Sequence, residues 1–274
     1  MPRSSMALLV MLALGTGCSE DADRGVYGPV DSRIEIGLVE DLNAGGRTLS
    51  LNCSTEKIYG CYNFLILNEA QVSGSTVTLF FTGIYKPQIC LRALGPARAV
   101  IHLGTLPDGT YLLSAAANGQ ALRTDLTVSD TAYRIGSGGA PWVVFPHPEL
   151  LRVPEGTIWG YAGYHAAGSA HIVQSFLDSL QSLGARAHRY ATGDYGYFTI
   201  DSTGAIEPPL NHGYYFIRPF IFHFPFPMSP VRDLVFSFGK NFGDSLNIGV
   251  YGSHGEVFDS WVLRQEGAGV PRGR

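Results

Sequence analysis

Apolar and polar residues alternate with a period of two through much of the chain between residues 30 and 129. The alternating apolar positions include Ile34, Ile36, Leu49, Leu51, Val77 and Leu79. Because successive side chains of a strand point to opposite faces, this period predicts strands that bury one face. The abundant glycines (34) and prolines (16) favour short strands joined by turns. We therefore expect a β domain over residues 30–129.

The clearest unit of this domain is a predicted hairpin at Asn118-Gly119, because this dipeptide supplies the positive φ angles of a tight turn. It follows the corner Asp108-Gly109-Thr110-Tyr111. The corner and hairpin together resemble the closing strands of immunoglobulin-like sandwiches, in which such a tyrosine packs inward and bonds its hydroxyl to nearby backbone. The resemblance implies an immunoglobulin-like β-sandwich, and it implies nothing about function.

Residues 130–141 contain Gly136-Ser137-Gly138-Gly139, a composition typical of a flexible linker. The chain then becomes aromatic, since 23 of its 32 aromatic residues lie between Trp142 and Trp261. An apolar stripe of helical period predicts one helix over 170–183, which begins after Ser169 and ends at Gly184.

Strands are predicted around that helix, including a hairpin of 246–251 with 256–263, while 230–239 fits either a strand or a helix. The fold class is therefore mainly β, with a second, aromatic-rich α+β domain over 142–264 built on an antiparallel sheet. A disordered tail is expected over 265–274.

The N-terminus carries a segment with the layout of a secretory signal. Arg3 precedes the apolar run Met6–Leu14, which spans about 14 Å as a helix against a hydrocarbon core of about 30 Å, so it is too short to cross a membrane. Gly15-Thr16-Gly17-Cys18 then resembles the lipobox of bacterial lipoproteins, with Gly15 in place of the usual leucine. The alternative is a simple secretory signal with an incidental cysteine.

The lipobox resemblance implies cleavage after residue 17 and acylation of Cys18, followed by a polar tether over 18–29. It implies a protein anchored by lipid in the bacterial outer membrane, on the periplasmic or cell-surface side. Two acyl chains would hold it stably there.

Composition and motifs exclude several classes of function. A net charge of −4, with three lysines and no basic run, argues against nucleic-acid binding. The chain has no G-x-S-x-G, no H-E-x-x-H and no phosphate-binding glycine loop, so we predict no catalytic residue, no metal and no cofactor.

Beyond Cys18 the chain has Cys53, Cys61 and Cys90. In an oxidising compartment two of these are expected to pair and one to stay free. Cys53 with Cys61 would close a local loop, whereas either one with Cys90 would join distant strands.

A binding patch is the remaining candidate site. It consists of Phe220, Phe222, Phe224, Phe226, Tyr195 and Tyr197, whose rings would form a docking or stacking surface if they were exposed together. The alternative is a core strand that continues into a loop. We expect a non-catalytic binding or assembly role, with another envelope protein or a second copy as partner. A glycan- or peptidoglycan-binding role is the second hypothesis, and an envelope hydrolase with two acids or a histidine triad in a cleft is the third.

Overall fold

The computed structural model describes residues 26–207, 213–243 and 245–267. It confirms the mainly β class with a small α+β part. The predicted signal peptide, Cys18 and the tether as far as residue 25 lie outside the described residues. Among the residues that are described, no helix is long and apolar enough to cross a membrane.

The first part of the chain forms a sheet whose hydrogen-bonded path runs β10-β2-β3-β6-β4-β5-β7-β8-β9-β11, with β1 added to β5. Its strands are β1 (Val26–Gly28), β2 (Ile34–Asn43), β3 (Gly46–Tyr59), β4 (Leu65–Ser73), β5 (Thr76–Tyr85), β6 (Gly95–Gly104), β7 (Gly109–Ala117), β8 (Gln120–Val128), β9 (Ala132–Ile135), β10 (Val143–Val144) and β11 (Glu149–Leu151).

This sheet curls around one core. Strands β6 and β4 are paired only at Leu65 and Arg98, so the path bends there. Leu51 of β3 and Leu79 of β5, from the two sides of this bend, lie in the same buried cluster and are almost wholly inaccessible to solvent. The alternating apolar positions of the sequence therefore form the inward face of the curled sheet.

The two ends of the folded sheet meet along a seam, which one short segment crosses. Val143 of β10 pairs in parallel with Ile34 of β2, at one end of the path. Leu150 of β11 pairs antiparallel with Tyr133 of β9, at the other end. The chain between β10 and β11 thus joins the two edges.

A buried carboxylate, Glu40 on β2, completes the seam with its side chain at 0% exposure. The Tyr133 hydroxyl donates to it over 3.3 Å and the Val153 backbone N–H over 3.1 Å. Guanidinium nitrogens of Arg47 on β3 and Arg152 just after β11 each lie 3.4 Å from a Glu40 oxygen. Burial, with the neighbouring Glu40 charge, raises the pKa of Tyr133 to about 12, so this hydroxyl keeps the proton that it donates.

The linker prediction for 130–141 is wrong, because β9 lies inside that range and is paired on both sides. Ala132, Tyr133 and Ile135 are buried. The glycines after β9 serve close packing, since Gly136 and Gly138 lie so near Thr124 that a side chain at either position would collide with it. The tether prediction also ends too late, since Val26–Gly28 is strand β1.

The two turn signals of the first domain are confirmed. Asn118 and Gly119 have φ angles of +50° and +75°, and the strands on either side of them, β7 and β8, pair throughout. Tyr111 is buried, and its hydroxyl donates to the Pro107 carbonyl over 2.8 Å, as expected for the corner.

The second part of the chain has an antiparallel sheet of order β15-β12-β16-β17 and a small separate hairpin of β13 with β14. Its elements are β12 (Thr157–Tyr164), α1 (Ala170–Ser182), β13 (Gly193–Asp194), β14 (Thr199–Ile200), β15 (Phe216–His223), α2 (Ser229–Phe242), β16 (Leu246–Gly252), β17 (Val257–Asp259) and α3 (Ser260–Gly267). A 3₁₀ turn at Ala167–Ser169 precedes α1.

The helix predicted over 170–183 is confirmed as α1, and Gly184 ends it with a φ of +111°. The ambiguous segment 230–239 is the helix α2, which buries Val231 and Val235 at helical spacing. The predicted strand 256–263 is wrong beyond Asp259, where Asp259 accepts hydrogen bonds from two backbone N–H groups of the first turn of α3. Residues 265–267, assigned to the tail, belong to this helix.

The sheet of the second part is covered on both faces. Phe176 of α1 and Val235 of α2 belong to the core that covers one face. The β13–β14 hairpin covers the other face and packs Tyr195 and Phe198 against Trp159 of β12. Leu42 and Leu151 of the first part join this second core, so the hairpin is wedged between the two parts.

We predict that Glu40→Gln lowers the free energy of unfolding by about 3 kcal/mol, because two arginines lose the carboxylate that compensates their burial. Chemical denaturation of the folded chain measures this. The matched control is Glu56→Gln, which removes the exposed ion pair with Arg33 and should cost less than about 1 kcal/mol. Equal costs for the two variants would contradict a closing role for Glu40.

Candidate functional site

The described residues show which of the three cysteines beyond Cys18 are paired. Cys61 and Cys90 form a disulfide with a Cα–Cα distance of 5.3 Å, and Cys53 is a buried free thiol. Burial raises the pKa of Cys53 to about 12, so little reactive thiolate forms at neutral pH. Of the alternatives considered, the pair that joins distant segments is the one observed.

The four phenylalanines of the predicted patch do not form an exposed platform. Phe220 and Phe222 do share one face of β15, but this face is covered by the helices, and Phe220 packs on Phe176 at a ring distance of 5.8 Å. Phe224 is also buried, which leaves Phe226 as the exposed ring of the four. The alternative interpretation, a core strand that continues into a loop, fits these positions.

The two tyrosines of the patch lie on the opposite side of the sheet, in the wedge between the two parts of the chain. Tyr195 is buried there and stacks on Phe198. Tyr197 packs on Trp159, and its hydroxyl accepts the backbone N–H of Leu42 over 3.0 Å. These rings therefore connect the two parts of the protein and are separated from the phenylalanines by the sheet.

A cleft of about 460 Å³ lies at one end of the second sheet. One wall carries polar groups from the start of β12 and from the turn between β16 and β17, namely Glu155, Ser253, His254 and Glu256. The other wall carries His223, Phe226 and Met228, from the end of β15 and the loop before α2. Two acids, two histidines and a serine in one cleft are the feature that the hydrolase hypothesis requires.

The two carboxylates of the cleft are not placed to act on a substrate together. His254 Nε2 lies 2.9 Å from Glu155, and its Nδ1 lies 3.8 Å from Glu256. A glycosidase needs two carboxylates that face each other across a substrate. Here the imidazole occupies the space between them, and Glu155 is further paired with Arg47 at 2.9 Å.

Ser253 is held as a structural group. Its backbone N–H donates to the Thr157 carbonyl over 3.0 Å, and its hydroxyl oxygen accepts the Gly156 N–H over 3.0 Å. Its hydroxyl lies 3.5 Å from His254 Nδ1, beyond the distance of an activated nucleophile and its base. These contacts fix the turn to the start of β12.

A second surface, absent from the sequence-based prediction, lies at the opposite end of the sheet. His165, Tyr214 and Trp261 line a pocket of about 170 Å³ there, and Tyr215 and Phe216 lie beside them, Tyr215 against the His165 ring and Phe216 on Tyr164. We call it the aromatic surface. Tyr215 is 84% exposed and Trp261 is 56% exposed. His165 lies against both tyrosines, at ring distances of 5.1 and 5.5 Å.

The polar groups beside the aromatic surface are already bonded within the protein. Asn247 Oδ1 accepts from the Ser260 hydroxyl over 2.7 Å and from the Trp261 N–H over 3.2 Å. The Asn247 amide donates to Asp259 over 3.1 Å, and the Ser260 hydroxyl oxygen accepts the Ile248 N–H. The surface therefore offers rings to a ligand, while these neighbouring amide and hydroxyl groups are engaged.

The sequence does not reveal Trp261 as part of this surface, because it predicts one strand over 256–263. In the structure helix α3 begins at Ser260 and brings Trp261 to the pocket. Tyr214 and Tyr215 offered a signal, as adjacent aromatic residues just before a strand. Their proximity to His165 follows from the register of β12 and β15, in which Tyr164 pairs with Phe216.

Across the described ranges, no group of three histidine, cysteine, aspartate or glutamate side chains is placed to hold a metal ion. Comparison of the chain with protein-family models, curated proteins and solved structures gave no match in any of the three. The function is therefore argued from the residues and their geometry.

We predict that Ser253→Ala lowers the free energy of unfolding by about 1–2 kcal/mol, because the Gly156 N–H loses its acceptor in a largely buried site. Denaturant titration measures the change. The exposed Ser237→Ala on α2 serves as control and should stay within about 0.5 kcal/mol of the parent chain. Hydrolysis of p-nitrophenyl acetate by the parent that is lost in a fully stable Ser253→Ala would instead identify Ser253 as a nucleophile.

Proposed function

We propose that this chain is a lipid-anchored protein of the bacterial outer membrane, on its periplasmic or cell-surface side, that binds another protein without catalysing a reaction. Two features support the proposal. The lipobox-like sequence ending at Cys18 supports the anchor, and the aromatic surface supports the binding role. The observation that carries the binding role is the exposure of Trp261, which lines one pocket, and of Tyr215, which lies against His165 of the same pocket.

A protein partner is favoured by the chemistry of this surface. Tyrosine and tryptophan are enriched among the side chains that carry the energy of protein interfaces, because each buries a large area at little cost in conformational entropy. Stacked neighbours hold the rings in place, as Tyr164 holds Phe216 at 5.2 Å. A glycan site would pair rings with free hydrogen-bonding groups, whereas Asn247 and Ser260 are engaged internally.

The cleft supports a structural role rather than catalysis. Its acids contact His254, Glu155 is also paired with Arg47, and its serine is fixed by two backbone hydrogen bonds. A hydrolase would require two of these groups to face a substrate together, whereas each of them is bonded to a neighbour within the protein.

The first prediction concerns the anchor. In a diderm bacterium, the parent chain should incorporate labelled palmitate and sediment with membranes, while Cys18→Ser should lose the label, because the acylated thiol is absent. Cys53→Ala is the control and should keep the label. A Cys18→Ser chain that is still acylated, or a parent chain that is cleaved and released without lipid, would contradict the proposal.

The second prediction concerns the aromatic surface. Mild detergent extracts of native membranes should contain the parent chain in a complex of fixed stoichiometry, with another protein or with a second copy. Replacement of both rings in a Tyr215→Ser, Trp261→Ser chain should release it as a monomer. Size-exclusion chromatography with light scattering and mass spectrometry gives the composition of each species.

The matched control for that experiment is Leu183→Ser, which changes an exposed apolar side chain at the end of α1. It should leave the complex intact, and all variants should unfold at similar temperatures because the replaced side chains are exposed. A parent chain that elutes as an acylated monomer would contradict a protein-binding role and direct attention to glycans.

A further inference from the structure

The first domain carries an exposed apolar patch at the end where β1 enters the fold. Its members are Ile58, Tyr62, Leu65, Ile89, Leu91 and Leu94. We call it the disulfide patch. Ile89 and Leu94 are 78% and 76% exposed, although both are large aliphatic side chains. Single exposed apolar residues are common in soluble proteins, but a contiguous group marks an interaction surface.

The patch is held together by covalent and hydrogen bonds, so it is one surface. The Cys61–Cys90 disulfide joins the loop before β6 to the segment after β3. The backbone N–H of Tyr62 donates to the Leu91 carbonyl over 3.1 Å. The Asn63 side chain donates to the Ile89 carbonyl over 2.7 Å and accepts the Leu91 N–H over 3.1 Å. The loop backbone is therefore satisfied, while its aliphatic side chains point to solvent.

Charge around the patch is positive, although the whole chain has a net charge of −4. Between residues 58 and 107 the sequence has one acid, Glu69, and three basic residues, Lys86, Arg92 and Arg98, while Lys57 at the border of this range is paired with Asp31. The Arg98 guanidinium lies over the Tyr62 ring at 4.4 Å, within the patch itself. Basic groups beside exposed aliphatic residues match the two parts of an anionic lipid surface, its headgroups and its acyl chains.

The patch lies close to the point at which the anchor would enter. Val26 of β1 pairs with Tyr85, the residue just before Lys86 and the patch loop. Tyr85 also pairs with Leu65, a member of the patch. Val26 lies eight positions after Cys18 in the sequence, and a fully extended chain of eight steps reaches at most about 29 Å. An acylated Cys18 would therefore keep this end of the domain near the bilayer surface.

We propose that the disulfide patch inserts into the anionic lipid surface to which the chain is anchored, with Ile89, Leu91 and Leu94 at the level of the acyl chains. The proposal rests on the proposed anchoring at Cys18 and adds a second membrane contact to it. An acyl anchor on a tether leaves the orientation of the protein free, whereas a second contact beside it restricts that orientation. The disulfide makes this contact rigid.

The test places a fluorescent reporter at the tip of the patch. The full-length acylated Leu94→Trp chain is reconstituted into vesicles of phosphatidylethanolamine and phosphatidylglycerol with brominated acyl chains. The tryptophan emission that Leu94→Trp adds to that of the parent chain should fall by about half, because bromine atoms quench a ring that contacts the upper acyl region, where interfacial side chains lie. Val257→Trp, a reporter at an exposed position of the second domain, is the control and should not be quenched. Adding Ile89→Asp to the Leu94→Trp chain should abolish the quenching.

Other outcomes of this experiment have distinct meanings. The mass of the N-terminal peptide reports acylation in the same sample, so an unacylated Cys18 would remove the anchoring and, with it, this proposal. An acylated Leu94→Trp chain whose added emission is unquenched would overturn the insertion while the anchor stands. If the added emission changes with the density of protein on the vesicles and not with bromination of the lipid, the patch contacts a second copy of the chain. This outcome would also overturn the insertion.

Discussion

The buried Glu40 carboxylate is the group through which the first domain is closed. It lies on one edge of the folded sheet, and its partners Tyr133, Val153 and Arg152 lie on or just after the strands of the other edge. Burying a charged group away from water raises the free energy of the folded state unless the group is paired and hydrogen-bonded. Because each Glu40 oxygen has partners here, the carboxylate holds the edges in one arrangement, and opening the sheet would separate it from Tyr133, Val153 and Arg152.

The same network continues from the first domain into the second. Arg47 contacts both Glu40 and Glu155, and Glu155 contacts His254 at the cleft. The β13–β14 hairpin lies between the two parts and adds an apolar contact to these polar ones. Groups that resemble a catalytic set by composition thus also connect the two parts. The binding role and the membrane contact that we propose lie elsewhere, on the aromatic surface and the disulfide patch.

Local signals in the sequence predicted those elements whose causes are local. The Asn118-Gly119 turn, the Tyr111 corner and helix α1 depend on a few neighbouring residues, and all three were predicted. The errors share a different cause. The glycines near 136 pack on a neighbouring strand, and the phenylalanines of β15 lie under helices that their own strand cannot specify. Residues 256–263 follow a turn and contain the β-favouring Val257, Phe258 and Val262, yet Asp259 and Asn247 accept the N–H groups that begin a helix.

By itself, the sequence determined the mainly β character, the turns, helix α1 and the absence of basic clusters, because each is a property of composition or of spacing along the chain. Tertiary structure decided which cysteines pair, which aromatic rings are buried and which surround a pocket. Those outcomes depend on the distance between residues that are far apart in the chain, such as Cys61 and Cys90 or His165 and Trp261. That distance is set by strand register and by the packing of each sheet around its core, and no local pattern of residues contains it.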